Sequence, residues 1–416
     1  MAVSLRKSGR SPGGFWSSPV RFSTTFAICV LGALALLIDF PHCAASESDQ
    51  FGIIINHRHE IQFSHWGQQT IARSFRYFSR GRGKLLADRV RFSAGGQPLP
   101  SPHPATAWEQ GLFVLMLAAG AELRPADAAL LDHYRPVLAA YWRVAHRIGG
   151  YNADPGPVPL NRYYDDNEWL TWGFLRAYRA THTANYLKSA ETDFRFVLSG
   201  RSNQLGGGIF WHEQDRNYKN TCANAPAIID AIQLYRITHH RRYFRTAESL
   251  YRWVNSHLQS RRTHLFYDGE RLNHTINKTE WSYNSGAMVI ANCLLYQVTQ
   301  HRMYLHRAKL IAGAAEKKWI DPATGGVRDG GPFAWVLIDA FLHLYRTGGD
   351  KSWLRTAVRA MLYVRHHCTD THGLYGRFWS RPVHPGKPRN ILDQAAAGGA
   401  FFEVARTIQL VLRRHS

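Results

Sequence analysis

The sequence contains few cysteines, and this shortage excludes two classes of protein. Of the 5 cysteines in 416 residues, only Cys222, Cys293 and Cys368 lie beyond residue 45. Three scattered cysteines cannot build the disulfide framework of a small secreted domain, and they lack the paired spacing of a zinc site. We expect buried free thiols, with one disulfide pair as the alternative, and we expect neither a metal nor a cofactor.

Acidic residues are also scarce, with 30 Asp and Glu against 51 Lys and Arg, which gives a formal net charge of +21. Nucleic-acid binding is the first hypothesis for such a balance. However, the basic residues form only short pairs such as Arg241-Arg242 and Arg261-Arg262, outside any recognised nucleic-acid motif. We therefore expect no nucleic-acid partner and interpret the charge as a solvated basic surface. Such a surface would also suit an anionic envelope surface or an anionic glycan.

The N-terminal segment has the order of a secretory signal. Basic residues precede the uncharged apolar run Phe26–Ile38, and the small residues Ala44, Ala45 and Ser46 follow it. The run is short for a membrane span, although a retained membrane anchor is the alternative. We predict a signal peptide over residues 1–45 and a secreted, periplasmic or cell-envelope location. Residues 46–416 are predicted to form one domain, which we expect to be a monomer.

Alternation of polar and apolar residues, which is typical of strands, is nearly absent, and Phe51–Ile55 is the one short strand that we consider. Instead, four segments share a helical pattern. In each, Leu with Tyr nearby ends an apolar helix, and an aromatic residue opens the next helix after a short polar turn. The segments are Leu175–Ala190, Leu234–Ala247, Leu295–Ala308 and Leu344–Ala357.

Each segment is a helical hairpin that cannot bury its apolar face alone, so several hairpins must stack as an open solenoid or a closed toroid. Periodicity predicts further helices and about twelve in total, an all-α fold. Loops rich in Gly, Trp, Asn and Asp at one end of the hairpins indicate a shared active-site face. The further helices are Gln69–Phe78, Trp108–Ala119, Pro125–Ala145 and Leu392–Leu412.

The segment Tyr163–Leu170 places Asp165 and Asp166 side by side between aromatic residues, just before an apolar helix. Two adjacent carboxylates cannot both ionise at low cost, so the pKa of one rises while that of the other stays low. A protonated carboxylic acid beside a carboxylate is the pair of groups that catalyses glycoside cleavage. A helix N-cap and a calcium site over Asp165 to Glu168 are the alternatives, although the latter lacks EF-hand spacing.

Four motifs in sequence resemble those of glycoside hydrolase family 76, the endo-acting α-1,6-mannanases. They are Tyr163–Asn167, Gly207–Trp211, Lys219–Ala227 and Ser282–Gly286. The resemblance extends from about Trp108 to the last helix and implies an (α/α)6 barrel acting on an α-mannan-like polysaccharide or oligosaccharide. It also implies a retaining mechanism in which Asp165 is the nucleophile and Asp166 the general acid and base.

The same motifs supply candidate substrate contacts. The rings of Trp211 and Tyr283 could stack on a sugar or pack in the barrel core, and the amides could bond hydroxyl groups or tie loops. His57, His59 and Glu60 have a metal-like grouping, for which a plain surface location is the better interpretation. The full set of candidate contacts is Tyr164, Asn167, Trp211, Lys219, Asn220, Asn224, Tyr283, Asn284 and Asp329.

Three other functions share part of this evidence. A transglycosidase would use the same carboxylates but pass the sugar to a hydroxyl group instead of water. A hydrolase of acidic glycans, such as an unsaturated uronyl hydrolase, would suit the basic charge. A non-catalytic glycan-binding protein would tolerate the loss of Asp165 or Asp166, so substitution of these residues distinguishes it from the enzymes.

Overall fold

The computed structural model describes residues 56–80 and 85–415. The predicted signal peptide and the short strand at Phe51–Ile55 lie outside these residues. The described chain forms twelve α-helices: α1 (His57–Phe78), α2 (Ala107–Leu123), α3 (Ala128–Tyr134), α4 (Tyr164–Thr181), α5 (Ala184–Ser199), α6 (Ala225–Thr238), α7 (Arg241–His257), α8 (Ser282–Thr299), α9 (Arg302–Trp319), α10 (Gly331–Gly348), α11 (Lys351–His367) and α12 (Ile391–His415).

The even-numbered helices form a closed inner ring. Each packs against the next even-numbered helix, and α12 packs against α2, which closes the circle. These helices are buried on most sides; in α2, every residue from Glu109 to Ala121 is buried. A helix that is apolar all round belongs inside a core. The ring confirms the predicted all-α fold and the closed toroid of six hairpins, the (α/α)6 barrel.

The odd-numbered helices form the outer layer and are amphipathic. In α7, the buried positions Tyr243, Ala247, Leu250 and Val254 recur every three or four residues, and Arg241, Arg242 and Arg245 lie on the exposed side. This spacing places one apolar stripe against the inner ring and leaves the basic face in solvent. Part of the positive charge therefore lies on solvated helix faces, as the sequence predicts.

The four repeats confirm the predicted hairpins and end their inner helices in the same way. The residue after each inner helix adopts a left-handed conformation, and its N–H donates to the carbonyl of a tyrosine four residues earlier. This bond closes the helix end. The four donor and acceptor pairs are His182 with Tyr178, His239 with Tyr235, Gln300 with Tyr296, and Gly349 with Tyr345.

Short strands accompany the barrel, where the sequence predicted almost none. They are β1 (Arg89–Phe92), β2 (Pro98–Pro100), β3 (Trp142–Ala145), β4 (Ile148–Tyr151), β5 (Tyr218–Asn220), β6 (Tyr267–Arg271), β7 (Ile276–Glu280) and β8 (Arg389–Asn390). They pair antiparallel in the orders β2-β1-β8, β3-β4 and β5-β6-β7. Three of the strands precede an inner helix: β5 lies before α6, β7 before α8 and β8 before α12. These strands therefore help to orient the segments that lead into the inner helices.

The prediction of an α-helix over Pro125–Ala145 is wrong for two thirds of its length. The α-helix covers only Ala128–Tyr134, 3-10 turns flank it, and β3 begins at Trp142. Pro136 has no backbone N–H and fixes its own φ angle, so it favours a tight turn over a continued helix. The other helices outside the repeat are confirmed, with α1 starting well before Gln69.

Two further sequence expectations can be checked in the core. Cys222, Cys293 and Cys368 are free and buried, as predicted. The segment Ile391–Arg413 of α12 is long and apolar enough to span a membrane, but 67% of its most apolar window is buried inside the protein. Its composition follows from its place in the inner ring, where it packs against α1, α2 and α10.

Candidate active site

The N-terminal ends of the six inner helices meet at one end of the barrel, which we call the mouth. Successive inner helices run in the same direction because an antiparallel outer helix connects each to the next. The positive ends of their dipoles therefore face the same opening and favour negative charge there. Glu109, Asp165, Asp166 and Asp393 all lie in the first turn of an inner helix, at this favourable position.

Asp165 is held by two side-chain donors. Its Oδ2 accepts hydrogen bonds from Trp211 Nε1 at 3.0 Å and from Cys222 Sγ at 3.2 Å. Its Oδ1 is buried and has no hydrogen-bond partner among the described residues. Burial raises the pKa of Asp165 to about 6, and the hydrogen bonds from Cys222 and Trp211 oppose this rise. Asp165 is therefore mostly ionised at neutral pH, with one oxygen uncommitted.

Asp166 has the opposite protonation. Burial raises its pKa well above the ordinary value, and the charges of Asp165, Glu109 and Asp154 raise it further. Within the described residues no donor bonds its carboxylate, so nothing there stabilises the ionised form. Of the two adjacent residues, Asp165 is thus a carboxylate and Asp166 a protonated acid. Glycoside hydrolysis uses this combination.

The two alternative interpretations of this segment fit less well. The N-cap of α4 is Tyr163, so neither aspartate occupies the capping position. Among residues 56–80 and 85–415, no group of three or more His, Cys, Asp or Glu side chains is arranged to hold a metal ion. Within these residues, His57 Nδ1 and Glu60 Oε2 are joined by a hydrogen bond of 2.7 Å on α1.

Aromatic rings line the mouth and could contact sugar rings. Trp211 is 38% exposed, donates to Asp165 and packs on Tyr163 with 5.0 Å between ring centroids. Across the mouth, Tyr283 stacks on Phe333 at 4.4 Å, and Trp281 packs on the same ring at 5.4 Å. Both rings thus pack against other aromatic residues at the mouth, and stacking on a bound sugar stays a prediction for Trp211 and Tyr283.

Asn167 and Asn224 hold loops. Both side chains are fully buried. Asn167 bonds both the N–H and the carbonyl of Tyr151, at 2.6 and 3.0 Å. Asn224 does the same for Ile209, at 2.7 and 2.9 Å, and so fixes the segment that carries Trp211. The structure favours the loop-tying interpretation for both amides over direct substrate contact.

Lys219 also lies beneath the glycine-rich loop and does not reach the substrate side. Its buried ammonium donates to the carbonyls of Ser202, Gln204 and Gly207, which uses all three of its N–H donors. Burial lowers its pKa to about 8, and Glu270 opposes the change. We correct its predicted role from substrate contact to support of the loop.

The remaining candidate residues differ in whether their side chains already form hydrogen bonds within the protein. Tyr164 is buried, and its hydroxyl accepts from Arg216 at 3.0 Å. Asp329 accepts from the backbone N–H of Ser282 at 3.0 Å and of Gly330 at 2.7 Å, so it folds its own turn and the start of α8. Asn220 donates to Cys222, whereas the buried amide of Asn284 has no partner among the described residues.

Sequence reasoning missed two residues of the site. Cys222 appeared as an ordinary buried thiol, yet it bonds Asp165 directly. Glu109 in α2 accepts from the backbone N–H of Thr106 at 2.6 Å, and burial raises its pKa to about 7. The Thr106-x-x-Glu109 spacing is a capping box, so this signal was readable in the sequence. The proximity of Cys222 to Asp165 has no sequence signal, because the two are 57 residues apart.

The sequence matches the model of a known protein family. A family model described as glycosyl hydrolase family 76 matches residues 90–328, more than half of the chain. The chain belongs to this family. The resemblance drawn from the four motifs is therefore confirmed, and the match includes both aspartates and the segments that support them.

Curated relatives of this family 76 chain match over part of their length. The mannan endo-1,6-alpha-mannosidase DCW1 of Candida glabrata is 30% identical over 128 residues, which is 29% of each protein. The mannan endo-1,6-alpha-mannosidase DFG5 of Saccharomyces cerevisiae is 30% identical over 107 residues, 24% of this chain and 23% of that protein. The match thus spans less than a third of these relatives.

Solved structures of family 76 match over most of their length. A GH76 alpha-mannanase of Bacteroides thetaiotaomicron is 25% identical, with a TM-score of 0.78 over 84% of this chain and 97% of that one. An inactive variant of the alpha-1,6-mannanase GH76A of Salegentibacter sp. HEL1_6, with two consecutive aspartates replaced by asparagine, is in complex with alpha-1,6-mannotriose. At 21% identity and a TM-score of 0.66, over 83% of this chain and 99% of that one, this neighbour shares the fold.

Proposed function

We propose that this family 76 chain is an endo-acting glycoside hydrolase that cleaves α-1,6-linked mannan with retention of configuration. The proposal rests on the different hydrogen bonding and protonation states of Asp165 and Asp166. One is a carboxylate whose Oδ2 is held by two side-chain donors, and the other is a carboxyl kept protonated by its surroundings.

The reaction follows from these two states. Asp165 attacks the anomeric carbon while Asp166 gives its proton to the glycosidic oxygen, and the leaving sugar departs. The product of this step is a glycosyl ester of Asp165. Asp166, now a carboxylate, takes a proton from water, and the hydroxide attacks the anomeric carbon and releases Asp165. The dipoles of the inner helices stabilise Asp165 when it becomes ionised again.

The choice of a neutral glycan rests on the charge of the mouth. Glu109, Asp165, Asp166 and Asp393 lie at the opening, and the ionised Asp165 would repel the carboxylates of a uronate polymer. The aromatic rings at Trp211, Tyr283 and Trp281 suit the apolar faces of uncharged sugars. The names of the curated relatives and the mannotriose complex of the structural neighbour support α-1,6-mannan in particular.

The test compares Asp165→Asn and Asp166→Asn with the matched surface variant Asp321→Asn. Each protein is incubated with linear α-1,6-mannan, an α-1,6-mannotetraose and a uronate polymer, and products are separated by chromatography. We expect mannan cleavage by the wild type and Asp321→Asn, and a loss on the order of 10³-fold or more in each active-site variant. Normal turnover by either variant would remove that aspartate from its role. Cleavage of the uronate polymer alone would reject the substrate.

A further inference from the structure

A thiol bonds the proposed nucleophile. Cys222 Sγ donates to Asp165 Oδ2 at 3.2 Å, and Trp211 Nε1 donates to the same oxygen at 3.0 Å. Oδ1 of the same carboxylate has no partner among the described residues. Both donors therefore fix the orientation of the carboxylate through one of its oxygens.

We infer that Cys222 is a positioning residue that fixes the orientation of the Asp165 carboxylate for attack on the anomeric carbon. The inference rests on the proposed function for its catalytic part. Two donors from different segments, one on the loop before β5 and one after it, define the plane of the carboxylate more firmly than one donor would. Orientation of a nucleophile within a narrow angular range is a large source of rate in enzymes.

Cys222 is itself fixed by two neighbours. Asn220 Nδ2 donates to its sulfur at 2.8 Å, and the hydroxyl of Tyr283 is also within hydrogen-bonding reach of the thiol. With its acceptor sites used, the thiol proton is directed to Asp165. This network gives Asn220 and Tyr283, both predicted as substrate contacts, an indirect part in holding the nucleophile.

The ordinary interpretation of Cys222 is a small buried side chain that fills space. The other two thiols fit that description, and Cys293 in the inner helix α8 is a matched example. Cys222 differs because its sulfur contacts a carboxylate, whose charge and burial together raise the pKa of the thiol. The thiol therefore stays protonated and remains a donor across the range in which Asp165 is ionised.

The first experiment measures kcat and KM against pH on an α-1,6-manno-oligosaccharide for Cys222→Ala, Cys222→Ser and the control Cys293→Ala. Loss of a hydrogen bond to a charged group should lower kcat about 10- to 100-fold in Cys222→Ala and leave KM nearly unchanged. The acid limb of the profile should move to higher pH, because the thiol lowers the pKa of Asp165. Cys222→Ser keeps a donor and should recover part of the rate. A wild-type profile in Cys222→Ala would overturn the inference.

The second experiment does not depend on activity. The infrared S–H stretching band of Cys222 is identified as the band missing from Cys222→Ser. We expect it at lower frequency than the band of Cys293, and we expect it to move to higher frequency in Asp165→Asn, where the acceptor is neutral. An unchanged band in Asp165→Asn would show that the thiol does not bond Asp165, whatever the substrate is. A shifted band without mannan cleavage would support the contact and reject the proposed function alone.

Discussion

Asp165 and Asp166 are consecutive residues in the first turn of α4, yet their side chains have different partners. Trp211 and Cys222 donate to Asp165, whereas the charges nearest to Asp166 are all negative. One turn of helix directs successive side chains to different sides, so neighbouring residues can meet different environments. The two residues are chemically identical in the sequence. Contacts with the surrounding loops give their carboxyl groups different hydrogen-bond partners and different pKa shifts.

This division predicts a pH profile. The proposed mechanism requires an ionised Asp165 and a protonated Asp166, so kcat/KM should rise as pH increases through about 6 and fall at higher pH as Asp166 loses its proton. The values belong to the coupled pair rather than to either residue alone. Trp211→Phe keeps a ring but removes the indole donor, and should shift the acid limb upward. An acid limb near 4 in the wild type would contradict the burial of Asp165.

The stereochemistry provides a separate prediction. In the proposed mechanism, attack by Asp165 inverts the anomeric carbon once and the attack by water inverts it again, so the first product should be the α-anomer. Proton NMR of the early products from α-1,6-mannan measures this directly, before mutarotation mixes the anomers. An initial β-anomer would mean that a water molecule attacks the sugar directly and that Asp165 is not the nucleophile.

The sequence predicted the acidic pair but was less successful with the residues around it. Adjacency between aromatic residues is a local pattern, and it identified Asp165 and Asp166. Whether a polar side chain in a loop contacts substrate or backbone depends on tertiary contacts, so Asn224 and Lys219 were interpreted as contacts although they hold the glycine-rich loop. Cys222 shows the same limit, because its partner is distant in sequence.

At the scale of elements, the inner helices approach closely through small residues. A Cβ atom added to Gly286 in α8 would lie 2.9 Å from the carbonyl oxygen of Val336 and 3.0 Å from Leu337 N, both backbone atoms of α10. A similar contact occurs between Gly111 of α2 and Trp169 of α4. Backbone atoms cannot rotate away as a side chain does, so these glycines set the spacing of the ring.

We expect Gly286→Ala to lower the free energy of unfolding by about 1–3 kcal/mol, the usual cost of overpacking. The matched control is Gly313→Ala in the outer helix α9, where an added Cβ has no neighbour within 4 Å. That variant should gain about 1 kcal/mol, since alanine favours a helix over glycine. Urea unfolding followed by circular dichroism measures both changes. Equal effects in the two variants would show that the α8–α10 spacing does not depend on Gly286.

Helices were the elements that the sequence predicted well. Long apolar periodicity identified the inner and outer helices of the repeat, and the Leu-Tyr signature matched the ends at Tyr178, Tyr235, Tyr296 and Tyr345. The strands have at most five residues, as in Tyr267–Arg271, too few for alternation to stand out. Their pairing comes from loops that the barrel brings together, which a local pattern does not contain.

At the scale of the whole molecule, the inner ring separates charge along its axis. The carboxyl groups of the site lie at the helix N-termini, while Arg176, Arg179, Arg236 and Arg346 lie near the C-termini of α4, α6 and α10. Both placements complement the helix dipoles. At the C-terminal end the guanidinium groups line one cavity together with Glu122, Asp339 and Glu403. The basic end is therefore an ion network that joins inner helices.

Glu403 is the centre of this network and allows a test of how the barrel closes. It lies in α12, is 1% exposed and pairs with Arg176 of α4, with Arg346 of α10 at 3.0 Å and with Arg406 at 3.1 Å. These cations hold its pKa well below the ordinary value against the effect of burial. Removing one partner of a buried pair leaves uncompensated charge, so Glu403→Gln should cost about 3–5 kcal/mol at neutral pH.

The pH dependence of that cost separates charge from packing. Because the pKa of Glu403 is lower in the folded state, its contribution is complete above the unfolded pKa of about 4 and is lost as the pH falls towards the folded value. The difference in unfolding free energy between wild type and Glu403→Gln should therefore shrink in acid. Asp321→Asn, which removes an exposed ion pair with Arg328, should leave the urea midpoint unchanged. A deficit in Glu403→Gln that stays constant down to pH values well below 4 would attribute the loss to packing of the side chain and not to the ions that join α4, α10 and α12.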